Sequence, residues 1–270
     1  MSEPKSKVPP LGELIAVVTG AGSGVGEVVA KHLATQGCKV ALVGRTRSKL
    51  ERVKTAIDTL GGTAVAISCD VSKPEDVEGL KLAVLEHFGT PQLLFNGAGL
   101  HCELLPIAES TPSEWIKTLE VNSIGPYLTC RAFMADMTKM GWGRIINVSS
   151  AASLHDPRPI GSVYQLSKVT LNFFTRQLAA ELEGTGVTAN ALHPGEVKTE
   201  MWSAIKTAAS QQADARQNML KWSKWVEDTG GDPPEKTAQL VLELLTPEAD
   251  NINGQFLWIK DGLKHPMPSW

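Results

Sequence analysis

Thr19-Gly20-Ala21-Gly22-Ser23-Gly24-Val25-Gly26 follows the short apolar run Leu14 to Thr19 and opens a helical pattern that extends to Gln36. Strand, glycines and helix in this order form a phosphate-binding context. Glycines let the backbone approach a pyrophosphate, and the helix start offers free N–H groups and a partial positive charge. The spacing is T-G-x-x-x-G-x-G. G-x-G-x-x-G is excluded, because the registers starting at Gly20 and Gly22 would place glycine at Val25 and Glu27.

Beyond this loop, apolar runs alternate with helical patterns. Lys39 to Val43, Thr63 to Ser68, Gln92 to Phe95, Arg144 to Val148, Gly186 to Leu192 and Gly254 to Ile259 read as strands. Arg47 to Leu60, Pro74 to Phe88, Trp115 to Met140 and Ser162 to Glu183 read as helices, the third as one long helix. Nearly continuous, β-branched-rich strands are buried on both faces, as in a parallel sheet. The pattern predicts an α/β fold: a doubly wound, mostly parallel seven-stranded sheet in three α/β/α layers.

The domain reading is a flexible tail over residues 1–11 and one domain over 12–270. Residues 199–234 interrupt the rhythm with two short helices carrying Trp202, Trp222 and Trp225, either a hydrophobic lid over the site or a helix pair packed on the body.

The chain has 270 residues, with 42% hydrophobic and 20% charged residues and a net charge of -3. That charge gives no footprint for nucleic acid or an acidic membrane surface. No apolar run is long enough for a spanning helix, and the polar start lacks a signal-peptide core. Cys38, Cys69, Cys102 and Cys130 show neither C-x-x-C nor zinc spacing, which suits reduced thiols in the cytoplasm and no metal.

The second strand ends Val43-Gly44-Arg45-Thr46-Arg47 without a carboxylate. An acidic residue there would hold a ribose 2′-OH, whereas arginine grips a 2′-phosphate. Arg45, supported by Arg47, therefore points to NADP(H) in preference to NAD(H). Asp70, at the end of the third strand, either accepts from an adenine amino group or caps the next helix.

Tyr164-Gln165-Leu166-Ser167-Lys168 begins a helix, and positions four apart share a face. An ammonium beside a phenol favours the phenolate, so the pair makes a sensible acid/base couple. Ser150 ends a strand where doubly wound folds bind ligands, and its hydroxyl can polarise a carbonyl.

Thr19–Gly26, Asn96–Gly99, Asn122, Ser150, Tyr164–Lys168 and Pro194-Gly195 occur in the order seen in the short-chain dehydrogenases/reductases, and over about residues 12 to 264 the chain resembles their single-domain Rossmann branch. The resemblance implies reversible NADP(H)-dependent reduction of a ketone or aldehyde. Tyr164 would exchange the proton, Lys168 would hold the nicotinamide ribose and lower the Tyr164 pKa, Ser150 would orient the reacting oxygen, and Asn122 would hold a relay water.

Gly20, Ser23, Gly24, Val25, Gly26, Asp70, Val71, Asn96, Gly97 and Ala98 would line the adenosine and pyrophosphate end. Pro194, Gly195, Val197 and Thr199 would contact the nicotinamide end. Assembly as a homodimer or homotetramer through the long helices is also implied. Ser150 lies one residue further from Tyr164 than is usual, which places an insertion in the 153–159 loop, with Ser149 a lesser candidate. A catalytically silent NADP(H)-binding sensor, a lyase or dehalogenase working without nucleotide, and a reductase of an acyl-thioester C=C bond are the rivals. Intact Gly20, Gly24 and Gly26 and the four-residue Tyr–Lys step argue against them. His101, Cys102, His155 and His193 read as lining or surface residues.

Overall fold

The computed structural model describes residues 8–210 and 217–263. Most of the 1–11 tail and part of the 199–234 segment therefore lie outside the described residues. Seven parallel strands form one sheet in the order β3-β2-β1-β4-β5-β6-β7. They are β1 (Ile15–Thr19), β2 (Lys39–Gly44), β3 (Thr63–Ser68), β4 (Leu93–Asn96), β5 (Gly143–Val148), β6 (Val187–His193) and β7 (Phe256–Trp258). The doubly wound reading is correct, and every strand pair is parallel.

All five residues of β1 are buried, and they divide between two cores. Ala16 and Val18 face one layer, with Val29 and Leu33 of α1 (Gly24–Thr35), Leu50 and Val53 of α2 (Arg47–Thr59), and Leu240 and Val241 of the later helix Glu235–Leu244. Ile15 and Val17 face the other, with Val77 and Leu80 of α3 (Pro74–His87). The two-residue alternation of a strand thus builds the three layers.

The expected long helix from Trp115 to Met140 is not uniform. It comprises α4 (Pro112–Leu119), a wide π-turn over Glu120–Ile124, and α5 (Gly125–Met140). Pro126 has no N–H, so the Asn122 carbonyl loses the donor an α-helix would aim at it. The chain widens there, and Gly125 N–H donates to Glu120 O. Gly141, left-handed at φ +72°, closes α5. After α6 (Ser162–Glu181) come α7 (Glu200–Ser210), α8 (Gln217–Thr229) and α9 (Glu235–Leu244).

Sheet order reverses between β1 and β4. A doubly wound sheet opens a crevice at the carboxyl ends of its strands at such a point. The glycine turn, Gly97 to Gly99, Ser149-Ser150 and Pro194-Gly195 all leave strands at that edge.

Candidate active site

A cleft of about 680 Å³ runs along this edge. Gly20 is left-handed at φ +71°, and a Cβ on it would lie 2.8 Å from the Gly97 carbonyl carbon. A Cβ on Gly26 would stand 2.4 Å from Gly20 O. The turn is thus clamped between α1 and the β4 exit, with bare backbone toward the cleft. Thr19 Oγ1 completes the clamp by accepting from Gly97 N and Ala98 N, each at 3.1 Å. Ser23 makes no side-chain cap to α1, so the helix start keeps unsatisfied N–H groups. Gly20, Ser23, Gly24, Val25 and Gly26 all line the cleft, and an anion fits this cradle.

At the far end the cleft is lined by Arg45, Asp70 and Val71. Arg45 is exposed, and its backbone O accepts from Ser68 Oγ at 3.2 Å. Arg47 departs from expectation. It does not line the cleft, because α2 turns its guanidinium onto Glu51 at 2.5 Å. Lys49 lines the cleft instead, paired with Glu200 at 2.7 Å. Asp70 Oδ1 accepts from Ser72 N at 3.1 Å and Ser72 Oγ at 2.7 Å, a local turn and not a cap on α3.

At the centre, Gly161 in the left-handed conformation starts α6 and sets Tyr164 in its first turn. Tyr164 and Ser150 both line the cleft, and the Ser150 hydroxyl is near enough to favour the ionised form of Tyr164. Between Ser150 and α6 the chain makes a 3-10 turn, Ala151–Leu154. Ser149 is excluded as the reactive serine, since its Oγ donates to buried Asn172 Oδ1 at 2.5 Å. One turn beyond Tyr164, Lys168 Nζ donates to Val148 O at 2.8 Å and stands 5.8 Å from the Tyr164 ring centroid.

Burial lowers Lys168 to about 8. Burial pushes Tyr164 up to about 12, with the nearby Ser150 hydroxyl opposing and the Glu196 charge adding to the rise. The expected lowering of Tyr164 by Lys168 is therefore not present in the protein's own groups. Desolvation decides the direction, and at neutral pH the phenol holds its proton.

Two expected site residues lie behind the cleft wall. Asn96 is 3% exposed. Its amide donates to Asn147 Oδ1 at 2.9 Å and accepts from Thr129 Oγ1 at 2.7 Å, tying β4 to β5 and α5. Of that turn, Gly97, Ala98 and Gly99 reach the cleft. Asn122 is fully buried. Its Oδ1 accepts from Leu100 N at 2.8 Å, and its Nδ2 donates to Leu100 O at 2.9 Å and Ser167 Oγ at 3.0 Å. Both amide protons are engaged, so the side chain pins the loop after β4 to the π-turn and to α6.

Pro194, Gly195, Val197 and Thr199 line the cleft after β6. Thr199 Oγ1 accepts from Trp202 N at 3.2 Å, capping α7. Its methyl would lie 3.1 Å from a Cβ on Gly24, so α7 docks against the glycine turn.

Residues 14–210 match the short chain dehydrogenase family. This chain belongs to the short-chain dehydrogenase/reductase family. It is 34% identical over 250 residues to the short-chain reductase protein NovJ of Streptomyces niveus, covering 93% of this chain and 94% of that one. Its fold superposes on a point variant of actinorhodin polyketide ketoreductase with NADPH at TM-score 0.83 and 28% identity, over 91% of this chain and 95% of that one. NAD⁺-bound xylitol dehydrogenase superposes at 0.80 and 25% identity, over 92% and 97%. Neighbours with either nucleotide are thus on hand. The protein is an oxidoreductase by family.

Within this short-chain dehydrogenase/reductase site, His101, read from sequence as a lining or surface residue, does line the cleft, whereas Glu196 escaped the sequence reading. His101 stacks at 4.9 Å on the Tyr164 ring, and burial holds its pKa down to about 4. Cys102, beside it, does not line the cleft. Glu196 lines it and accepts from Trp222 Nε1 at 2.9 Å. Trp202 and Trp222 face the cleft, whereas Trp225 is 48% exposed, so the three tryptophans do not form one surface. Among the described residues no cluster of His, Cys, Asp or Glu could hold a metal ion, and no helix is long and apolar enough to cross a membrane. All four cysteines are unpaired.

Proposed function

We propose that this protein is an NADP(H)-dependent carbonyl reductase that interconverts a ketone or aldehyde with its alcohol. The observation that carries this reading is the convergence of Tyr164, Ser150 and Lys168 on one glycine-floored cleft. The bare glycine turn and the uncapped start of α1 fit a pyrophosphate. Exposed Arg45, at the cleft's far end and without a carboxylate on the β2 exit, fits a 2′-phosphate. The bound nicotinamide supplies or accepts the hydride.

The chain's own residues do the rest. Ser150 Oγ donates a hydrogen bond to the substrate oxygen and fixes its position. Tyr164 Oη, protonated at neutral pH, hands that oxygen its proton as charge develops on it. Lys168, anchored on Val148 O, places a positive charge beside the phenolate left behind and reaches the nicotinamide ribose. Asn122 is a positioning residue, holding Leu100 and Ser167 around the pair.

Residues 12–270 act as one domain, with 199–234 as a lid that excludes water from the reacting atoms. Ile124 and Tyr127 near and on α5, and Leu166 and Phe173 on α6, are between 43% and 59% exposed, and a second copy of the chain covers them in a homodimer or homotetramer. Free cysteines suit a cytoplasmic protein.

The test is a panel of ketones and aldehydes read by NADPH absorbance, with NADH alongside. Turnover with NADPH at the higher kcat/KM supports the reading. Binding of NADPH with no carbonyl consumed across the panel favours the silent sensor.

A further inference from the structure

Past Tyr164 the cleft is walled largely by apolar side chains, among them Leu104, Ile160, Ile205 and Met219. Glu196 stands among them and forms no ion pair with Lys or Arg among the described residues, Lys260 and His155 acting on it only at longer range. Its Oε2 accepts from Trp222 Nε1 at 2.9 Å, and its Oε1 lies 3.8 Å from His193 Nε2. His193 Nδ1 accepts from Ala151 N at 3.2 Å, which leaves the ring proton on Nε2. That buried N–H has no hydrogen-bond partner, and burial keeps the imidazole neutral. A carboxylate drawn partly out of water with no cation in contact is destabilising unless a ligand completes its hydrogen bonding.

Its position is fixed by the backbone. Glu196 N donates to Asp232 Oδ2 and Asp232 N donates to Glu196 O, each at 3.0 Å. Gly231 presses from the same side, with a Cβ there 2.4 Å from Glu196 O. Glu196 is also near enough to the reacting centre for its charge to oppose ionisation of Tyr164.

We propose that Glu196 is a specificity-determining residue that accepts a hydrogen bond from a hydroxyl or protonated amino group of the substrate, on a carbon close to the reacting carbonyl. This rests on the carbonyl-reductase reading and names its substrate class: hydroxy- or amino-substituted carbonyl compounds, not plain hydrocarbon ketones. The preference arises because a ligand without a donor buries the carboxylate unpaired, a penalty that discriminates more strongly than any added apolar contact.

The experiment measures NADPH-linked kcat/KM for ketone skeletons carrying a hydroxyl, an amino group or hydrogen at successive carbons, in wild type, Glu196→Gln, Glu196→Leu and Trp222→Phe. Wild type favours the best donor-bearing member over its unsubstituted parent by about 10- to 100-fold, the range of a hydrogen bond to a charged group. Glu196→Leu brings the ratio near one. Glu196→Gln keeps a preference for hydroxyl and loses any extra preference for the amine. Trp222→Phe, which frees the carboxylate to swing, reduces the ratio. An unchanged ratio in Glu196→Leu overturns the proposal, as does wild type preferring the unsubstituted parents. Should Glu196→Leu not fold, an unaltered hydroxyl-to-amine order in Glu196→Gln overturns it instead. Wild type that turns over plain ketones without preference leaves the reductase reading standing and removes only this one. Wild type that turns over nothing removes both.

Discussion

Tyr164 and Ser150 face the same cleft, although an extra residue separates them relative to the family's usual spacing. The 3-10 turn Ala151–Leu154 follows Ser150, and Ser153 Oγ donates to Ser150 O at 2.6 Å to hold the turn. Because Ser150 works beside Tyr164 as a hydrogen-bond donor to the developing oxyanion, Ser150→Ala lowers kcat by about 10²–10³-fold with NADPH affinity unchanged. Ser149→Ala, which breaks a bond to Asn172 and touches no substrate, acts on stability instead. Steady-state kinetics and nucleotide titration check both.

Arg45 governs nucleotide choice. Arg45→Asp removes one charge-assisted contact and places a like charge by the 2′-phosphate. NADPH binding weakens relative to NADH by about 1–3 kcal/mol. Arg47→Ala, which removes a residue paired with Glu51 outside the cleft, leaves the ratio alone. Titration of both nucleotides checks the pair, and an unaltered preference in Arg45→Asp excludes the assignment.

The pH dependence follows from two groups. Tyr164, near 12, keeps its proton through neutral and mildly alkaline pH. Lys168, near 8, loses its charge as pH rises through that value. Reduction needs both the phenol proton and the ammonium. Its kcat/KM is therefore level below about 8 and falls above it. Alcohol oxidation needs the phenol to give up its proton and gains with pH over the same range. Lys168→Arg, charged throughout, flattens the alkaline fall in reduction. Initial rates in both directions across pH 6 to 10 (roughly the range between the histidine and tyrosine reference values) check the sign.

Arg144 is a structural element away from the chemistry. It is 1% exposed on β5. Its guanidinium donates to Leu244 O at 2.9 Å and to Asp250 and lies 4.4 Å from the Trp142 ring centroid. Arg144→Met leaves those acceptors unmatched and costs about 2–4 kcal/mol of stability, read by urea unfolding. The cleft is not lined by Arg144, so kcat well below the unfolding temperature stays near wild type.

Much of this architecture is legible in residues alone, because strands buried on both faces must be apolar throughout and a glycine turn admits no substitute. The hidden parts are those decided by side-chain direction. Arg45 and Arg47 look equivalent in sequence, yet α2 turns the second onto Glu51. Asn96 and Asn122 sit at the expected positions but aim their amides inward, toward partners on distant elements. The π-turn had a signal that was open to reading: Pro126, four residues after Asn122, denies that carbonyl its helical donor. Glu196 carried no such sign. A lone acid after Pro194-Gly195 becomes notable only when the apolar wall around it is assembled.

The most direct test of the account compares wild type with Tyr164→Phe, using a carbonyl that wild type reduces, NADPH absorbance for turnover and fluorescence titration for nucleotide binding. Loss of the phenol proton lowers kcat by about 10²–10⁴-fold while the NADPH dissociation constant stays within a factor of about two. Undiminished turnover in Tyr164→Phe would contradict the assignment of Tyr164 as the proton donor.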